Sequence, residues 1–191
     1  MTYAPAPQRP VARGDFVAAM GNAATGVTVV STDGPAGRFA QTVSAMCSVS
    51  ADPPSLLVCV NERSPLAAAA RENGAFAVSV LSAGQTHVSD VFAGRPSALT
   101  GPYGPYAAYD FGCADWHALD TGAPVLRDAA AAFDCRLTDA VRQGTHQVLF
   151  GAVGAATVRR DLAPLVHHAR AYAAPGPLTT TAPRAAKEQC A

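Results

Sequence analysis

Residues 37–64 read Gly-Arg-Phe-Ala-Gln-Thr-Val-Ser-Ala-Met-Cys-Ser-Val-Ser-Ala-Asp-Pro-Pro-Ser-Leu-Leu-Val-Cys-Val-Asn-Glu-Arg-Ser, a dense run of small polar groups between apolar residues. Thr42, Ser44, Ser48 and Ser50 fall at even positions, so an extended chain would put all four on one face. The opposite face would carry Val43, Ala45, Cys47 and Val49 as its core side. Asp52-Pro53-Pro54 ends the run, because proline has no amide hydrogen to give a sheet ladder. Residues 56–60 then predict a second strand, buried on both faces and closed by Asn61-Glu62-Arg63-Ser64. Ser64-Pro65 predicts a helix start, with a hydroxyl cap and proline at the first helical position. Arg63 adds a forked, permanently charged donor beside the positive end of that helix. Together these groups suit a ligand with a polar edge at one end and an anionic group at the other.

Other chemistry-bearing residues are sparse. His146 opens an apolar run after Gly144-Thr145, and His167-His168 precedes Arg170 and Tyr172. Adjacent histidines on a strand face opposite ways and make a poor metal pair. Asp90, Asp134 and Asp139 show no paired-carboxylate spacing, and no G-x-S-x-G nucleophile elbow occurs. Five cysteines without C-x-x-C spacing fit neither a disulfide framework nor a zinc site. Cys47, Cys59 and Cys135 lie in apolar runs and are expected to be small buried residues, with Cys190 exposed in a polar tail.

The elements that must position these groups follow from periodicity and turn residues. Asp15 is the expected cap of a helix with Phe16, Ala19, Met20 and Ala23 on one face, ended by Thr25-Gly26. Residues 27–32 predict a strand and 33–37 a hairpin turn. The helix from Ser64-Pro65 should run to Asn73 and stop at Gly74. A strand over 76–81 and a helix over 85–92 follow, the helix burying Val88, Val91 and Phe92. Prolines and glycines rule out long regular structure across 94–115, where Tyr103, Tyr106, Tyr109 and Phe111 supply aromatic surface. Trp116 and Val125-Leu126 predict short strands. Residues 129–139 and 147–158 predict a long antiparallel pair, the second burying Val148, Phe150, Ala152 and Gly154. Residues 165–172 predict a last edge strand. Many strands, few short helices and no G-x-G-x-x-G after a strand argue for a mostly β, antiparallel barrel and against a dinucleotide-binding α/β fold.

This order of segments resembles the flavin reductase family, the NAD(P)H:flavin oxidoreductases that supply reduced flavin to partner monooxygenases. The resemblance rests on Thr42-Val-Ser-Ala-Met-Cys-Ser-Val-Ser-Ala-Asp-Pro-Pro54 followed by Leu57-Val-Cys-Val-Asn61. It extends to 25–30, 74–81, 92–94, 122–126, 133–135 and 144–146. It implies a split β-barrel that binds FMN, with FAD possible, uses NADH or NADPH, and works as a homodimer with flavin near the subunit interface. It further implies that Thr42, Ser44, Ala45, Met46, Cys47 and Ser48 border the isoalloxazine ring, with Phe92 nearby. Ser48, Ser50, Asn61, Arg63 and Ser64 would hold the remainder and its phosphate. His146 stands where the family carries Gly-Asp-His and would serve the nicotinamide, while Thr145 replaces the acidic residue. Segment 94–115 also departs from the family pattern, so no role transfers into it. These departures leave two alternatives open: a flavoprotein that retains FMN for another small substrate, and a non-catalytic flavin-binding protein.

The whole chain has 191 residues and zero formal net charge. That length predicts one domain over 14–172, preceded by an extended arm over 1–13 and followed by a disordered tail over 173–191. No basic run suits nucleic acid, and no apolar stretch reaches the roughly 18 residues of a membrane span. Residues 1–14 lack an apolar signal core, which points to the cytoplasm. With 49% hydrophobic and only 15% charged residues, part of the surface is expected to be buried against a second subunit.

Overall fold

The structure is a computed structural model and describes residues 10–95 and 105–178. Helix α1 spans Arg13–Gly21, followed by strands β1 Thr25–Gly26, β2 Thr28–Thr32, β3 Phe39–Val43, β4 Met46–Ala51 and β5 Pro54–Asn61. Helix α2 spans Pro65–Asn73, then come β6 Ala75–Val80 and α3 Thr86–Phe92. A single 3-10 turn, Phe111–Cys113, precedes β7 Trp116–Ala118 and β8 Pro124–Leu126. Two long strands, β9 Ala131–Gln143 and β10 His146–Val158, and the short β11 Val166–His168 and β12 Ala171–Ala173 complete the described chain. Most of the expected arm, the centre of segment 94–115 and the tail from 179 onward, with Cys190, lie outside the described residues.

Seven strands form one antiparallel sheet in the order β3-β2-β6-β9-β10-β5-β4. Its two edge strands are consecutive in sequence, so the sheet must curl until the edges meet. The Cys59 amide donates to the Ala45 carbonyl at 3.0 Å, closing the barrel across the short link from β3 to β4. Helix α2 packs against β2, β3, β5, β6 and β9 and fills the barrel's interior. Leu66 and Ala70 from α2 meet Val30, Val58, Val60, Phe76, Val78 and Leu149 there. A second cluster, on the outer side of β2, joins Val29, Leu81, Val88, Val91, Phe92 and Leu126. β2 is therefore buried on both faces.

Helix α2 starts and stops as expected. Ser64 Oγ accepts from the Leu66 amide at 3.3 Å, Pro65 takes the first turn, and Gly74 ends the helix at φ 72°. A cap of this kind is worth about 1 kcal/mol. The paired β9 and β10, the β7–β8 pair and the burial of Val88, Val91 and Phe92 also agree with the sequence reading.

Other expectations change. The run from Thr42 to Ser50 is not one strand: it breaks at Ser44-Ala45, and its halves occupy opposite sheet edges. Of its expected core side only Val43 is buried, while Val49 is 51% exposed. β5 alternates, with Leu56, Val58 and Val60 buried and Leu57 and Cys59 partly open. In β10 the buried positions are Leu149 and Gly151, not Val148, Phe150, Ala152 and Gly154. Helix α1 is capped by Ala12, not Asp15, ends before Thr25-Gly26 and buries none of its residues. Cys135 is buried as expected, but Cys59 is half-buried and Cys47 exposed. Residues 166–173 form a small hairpin beside β1 in place of one edge strand.

Candidate active site

Between β3 and the β5–α2 turn the barrel opens into a cleft of about 640 Å³, within the usual range for small-molecule sites. Arg38, Phe39 and Gln41 form one wall, Asn61, Arg63 and Ser64 the other, and Tyr109 and Phe111 border it. Three of the sequence-derived candidates thus meet here.

The far wall is a tight turn whose internal bonds leave certain donors free. Asn61 Oδ1 accepts from the Arg63 amide at 3.0 Å, so the Asn61 amide group keeps its N–H donors. Ser64 Oγ accepts from Leu66 and retains its own proton for a ligand. Arg63 makes no ion pair among the described residues, and it immediately precedes Ser64, the cap at the positive end of α2. On the near wall, Gln41 Oε1 is buried and has no hydrogen-bond partner. A buried amide oxygen left unmatched costs free energy, so this atom calls for a ligand N–H. Among the described residues the cleft lining contains no acidic side chain. An uncharged heterocycle with an N–H edge and a phosphate tail fits such walls, and flavin mononucleotide has both.

The remaining candidates are placed elsewhere. Thr42 is half-buried and donates to the Ser89 carbonyl at 2.7 Å, so its hydroxyl proton is engaged. Ser44 and Ala45 are exposed at the link after β3, and Cys47 is exposed on β4. Met46, Ser48 and Ser50 line a separate groove of about 250 Å³ with Leu56, Phe133, Val153 and Ala156. Ser50 Oγ bonds the backbone of Asp52. Phe92 is 0% exposed and packs edge-on against Phe111 and Trp116 at 5.1 and 5.5 Å, which makes it core and not lining. His146 is exposed and pairs across the sheet with Asn61, one step from the cleft, and its Nδ1 lies 3.0 Å from Thr145 Oγ1. Tyr172 is tied to Ser89 Oγ at 2.9 Å and Asp90 Oδ1 at 2.8 Å, behind Thr42, and burial raises its pKa.

The predicted site had left out Arg38, Phe39, Gln41, Tyr109 and Phe111, among other lining residues, the two from segment 94–115 having been read only as aromatic surface. Gln41 carried a signal, an amide beside Thr42 in a strand whose other residues are apolar. Tyr109 and Phe111 sit in the segment without periodicity. Tyr109 holds φ 64°, a left-handed conformation uncommon for a bulky residue. Among the described residues no group of three or more His, Cys, Asp or Glu gathers for a metal, and no helix is long and apolar enough to cross a membrane.

Comparison with known proteins agrees with this geometry. Residues 20–176 match the flavin reductase like domain. The FMN reductase (NADH) RutF of Ancylobacter novellus is 44% identical over 140 residues, covering 73% of this chain and 72% of that protein. Its namesake from Bradyrhizobium diazoefficiens is 43% identical over 162 residues, covering 85% of each. The crystal structure of BorF, the flavin reductase component of a bacterial two-component tryptophan halogenase, superposes with a TM-score of 0.70 at 33% identity, over 84% of this chain and 96% of that one. A barrel split beside a cationic, acid-free cleft, matched along most of its length by reductases of flavin, places this chain in the flavin reductase family.

Proposed function

We propose that the protein reduces FMN with NADH in the cleft between β3 and the start of α2, and releases the reduced flavin to a flavin-dependent monooxygenase. The observation that carries this reading is the cleft itself, with the unpartnered Gln41 Oε1 on one wall and Arg63 with Ser64 on the other, in a member of this family. The relatives' name, FMN reductase (NADH), supports FMN over FAD and NADH over NADPH.

Bound flavin supplies the chemistry, taking a hydride from reduced nicotinamide at its ring. The protein's part is to bind and orient. Arg63 and the Ser64 hydroxyl hold the phosphate by charge-assisted hydrogen bonds. Gln41 would accept from the ring N–H edge. His146, oriented through Thr145, stands at the rim for the nicotinamide nucleotide. No side chain would need to exchange a proton with the nicotinamide carbon, so the chain's own residues would act by binding and positioning.

A second copy of the chain covers β4 and α1 in this reading. Val49 is 51%, Phe16 55% and Met20 51% exposed, and these are the apolar side chains such a contact would cover. Light scattering at micromolar concentration should return twice the chain mass. A requirement for NADH supports a cytoplasmic location in this reading.

The test is oxidation of NADH and NADPH followed with FMN, FAD and riboflavin in turn. Turnover that requires added flavin and is fastest with NADH and FMN is the expected result. Flavin that stays with the protein through gel filtration without NADH oxidation would favour a binding protein or a flavoprotein acting on another substrate.

A further inference from the structure

The cleft holds one cation more than a mononucleotide requires. FMN carries a single phosphate, for which Arg63 and Ser64 suffice, yet Arg38 also lines the cleft and, among the described residues, no carboxylate does. Arg38 is fixed in an unusual way. Its guanidinium carbon lies 4.2 Å from the Phe111 ring centroid and 5.9 Å from that of Trp116. Phe111 and Trp116 stand 5.0 Å apart, both pack on buried Phe92, and the Trp116 indole N–H donates to the Phe111 carbonyl at 2.9 Å. This is a rigid aromatic seat. The one acidic partner of Arg38 among the described residues is Asp33, at 4.0 Å, with both side chains over two-fifths exposed. A pair so long and so exposed neutralises little of the charge. Stacking positions a guanidinium while keeping its N–H fork free for phosphate oxygens.

We propose that Arg38 is a specificity-determining residue that binds a second phosphate, the one on the adenylate side of a dinucleotide bound in this cleft. Tyr109, 53% exposed at the same cleft, provides aromatic surface for the adenine. Two molecules share this adenylate chemistry, NADH and FAD, and the experiment separates them. The inference rests on the cleft being the flavin and nicotinamide site.

Arg38→Gln and Phe111→Leu are compared with the unaltered protein in three measurements: KM and kcat for NADH against reduced nicotinamide mononucleotide, dissociation constants for FAD, FMN and riboflavin, and melting temperature. Arg38→Gln should raise KM for NADH by about tenfold to a hundredfold with kcat little changed, while KM for the mononucleotide stays within about twofold. Phe111→Leu, which keeps the charge but loosens its seat, should move the same ratio less. If FAD affinity falls while the NADH ratio holds, the second phosphate belongs to FAD and the site stands. The inference is overturned if the NADH and mononucleotide constants rise together, if FMN weakens more than riboflavin, if all ligands weaken with a lowered melting temperature, or if nothing changes. Absence of NADH oxidation by the unaltered protein would instead refute the reading of the cleft, a result distinct from normal turnover with an unaltered Arg38→Gln profile.

Discussion

Two strands of equal length in one sheet, β6 and β4, show how differently this barrel uses similar residues. Ala75–Val80 and Met46–Ala51 both mix small apolar groups with serine. β6 lies between β2 and β9, and its first five residues are buried. Its Ser79 Oγ accepts from the Leu126 amide at 3.1 Å, so even the hydroxyl has a protein partner. β4 is an edge strand paired only with β5, and none of its residues is buried. Burial follows position in the strand order more than residue type. The central strand serves stability, whereas the edge leaves polar and apolar groups available to a ligand or a second copy.

The largest expected contrast between the two regions is in thiol chemistry. Burial, with the charge of neighbouring Asp134, raises Cys135, which faces β6, to a pKa of about 12. Burial, reinforced by Asp110 and partly offset by a backbone hydrogen bond, does the same for Cys113. A raised pKa keeps the thiol protonated, so at pH 8 only about one such group in ten thousand is a thiolate. Iodoacetamide should therefore label exposed Cys47 on β4 and spare Cys135 and Cys113, whose labelling rises only in strong alkali or on unfolding. Peptide mass spectrometry after a short pulse reads this directly, and early labelling of Cys135 would mean that the centre of the sheet is open.

Stability should divide the same way. Phe76→Ala removes a fully buried ring from β6 and should cost about 3–5 kcal/mol in urea unfolding. Val49→Ala on β4 should change the stability of the separated chain by no more than about 0.5 kcal/mol. Comparable losses would erase the distinction.

The distinction also explains what the sequence made legible. Helix α2 was readable because a cap, a first-turn proline and a terminal glycine are local signals, and β9 and β10 because long apolar runs have few other uses. The break at Ser44-Ala45 was not, since alternation continues across it and only barrel closure assigns the halves to opposite edges. The buried face of β10 was misread because Val148, Leu149 and Phe150 are all apolar, so residue type does not choose between the two faces. Phe92 had the residue type of a ring neighbour but supports the cleft from behind. Arg63 and Ser64 were found because anion chemistry lay in adjacent residues, whereas Arg38 gains its setting from Phe111, more than seventy positions away.

A smaller effect, on binding alone, sharpens the assignment of the cleft's far wall. Arg63→Ala should weaken FMN by about 1.5–3 kcal/mol and leave riboflavin, which has no phosphate, nearly unaffected. Fluorescence titration checks it, and equal losses for both ligands would remove Arg63 from the phosphate site.

The central claim, that flavin occupies the split between β3 and the start of α2, is tested most directly by hydrogen–deuterium exchange with and without FMN. The account expects slowed exchange over residues 38–47 and 61–67, with β6 already protected in both states. A separate cavity of about 330 Å³, beside Ser82, His87 and Asp115, should show no change. Protection centred on that cavity, with 38–47 and 61–67 unaltered, would contradict it.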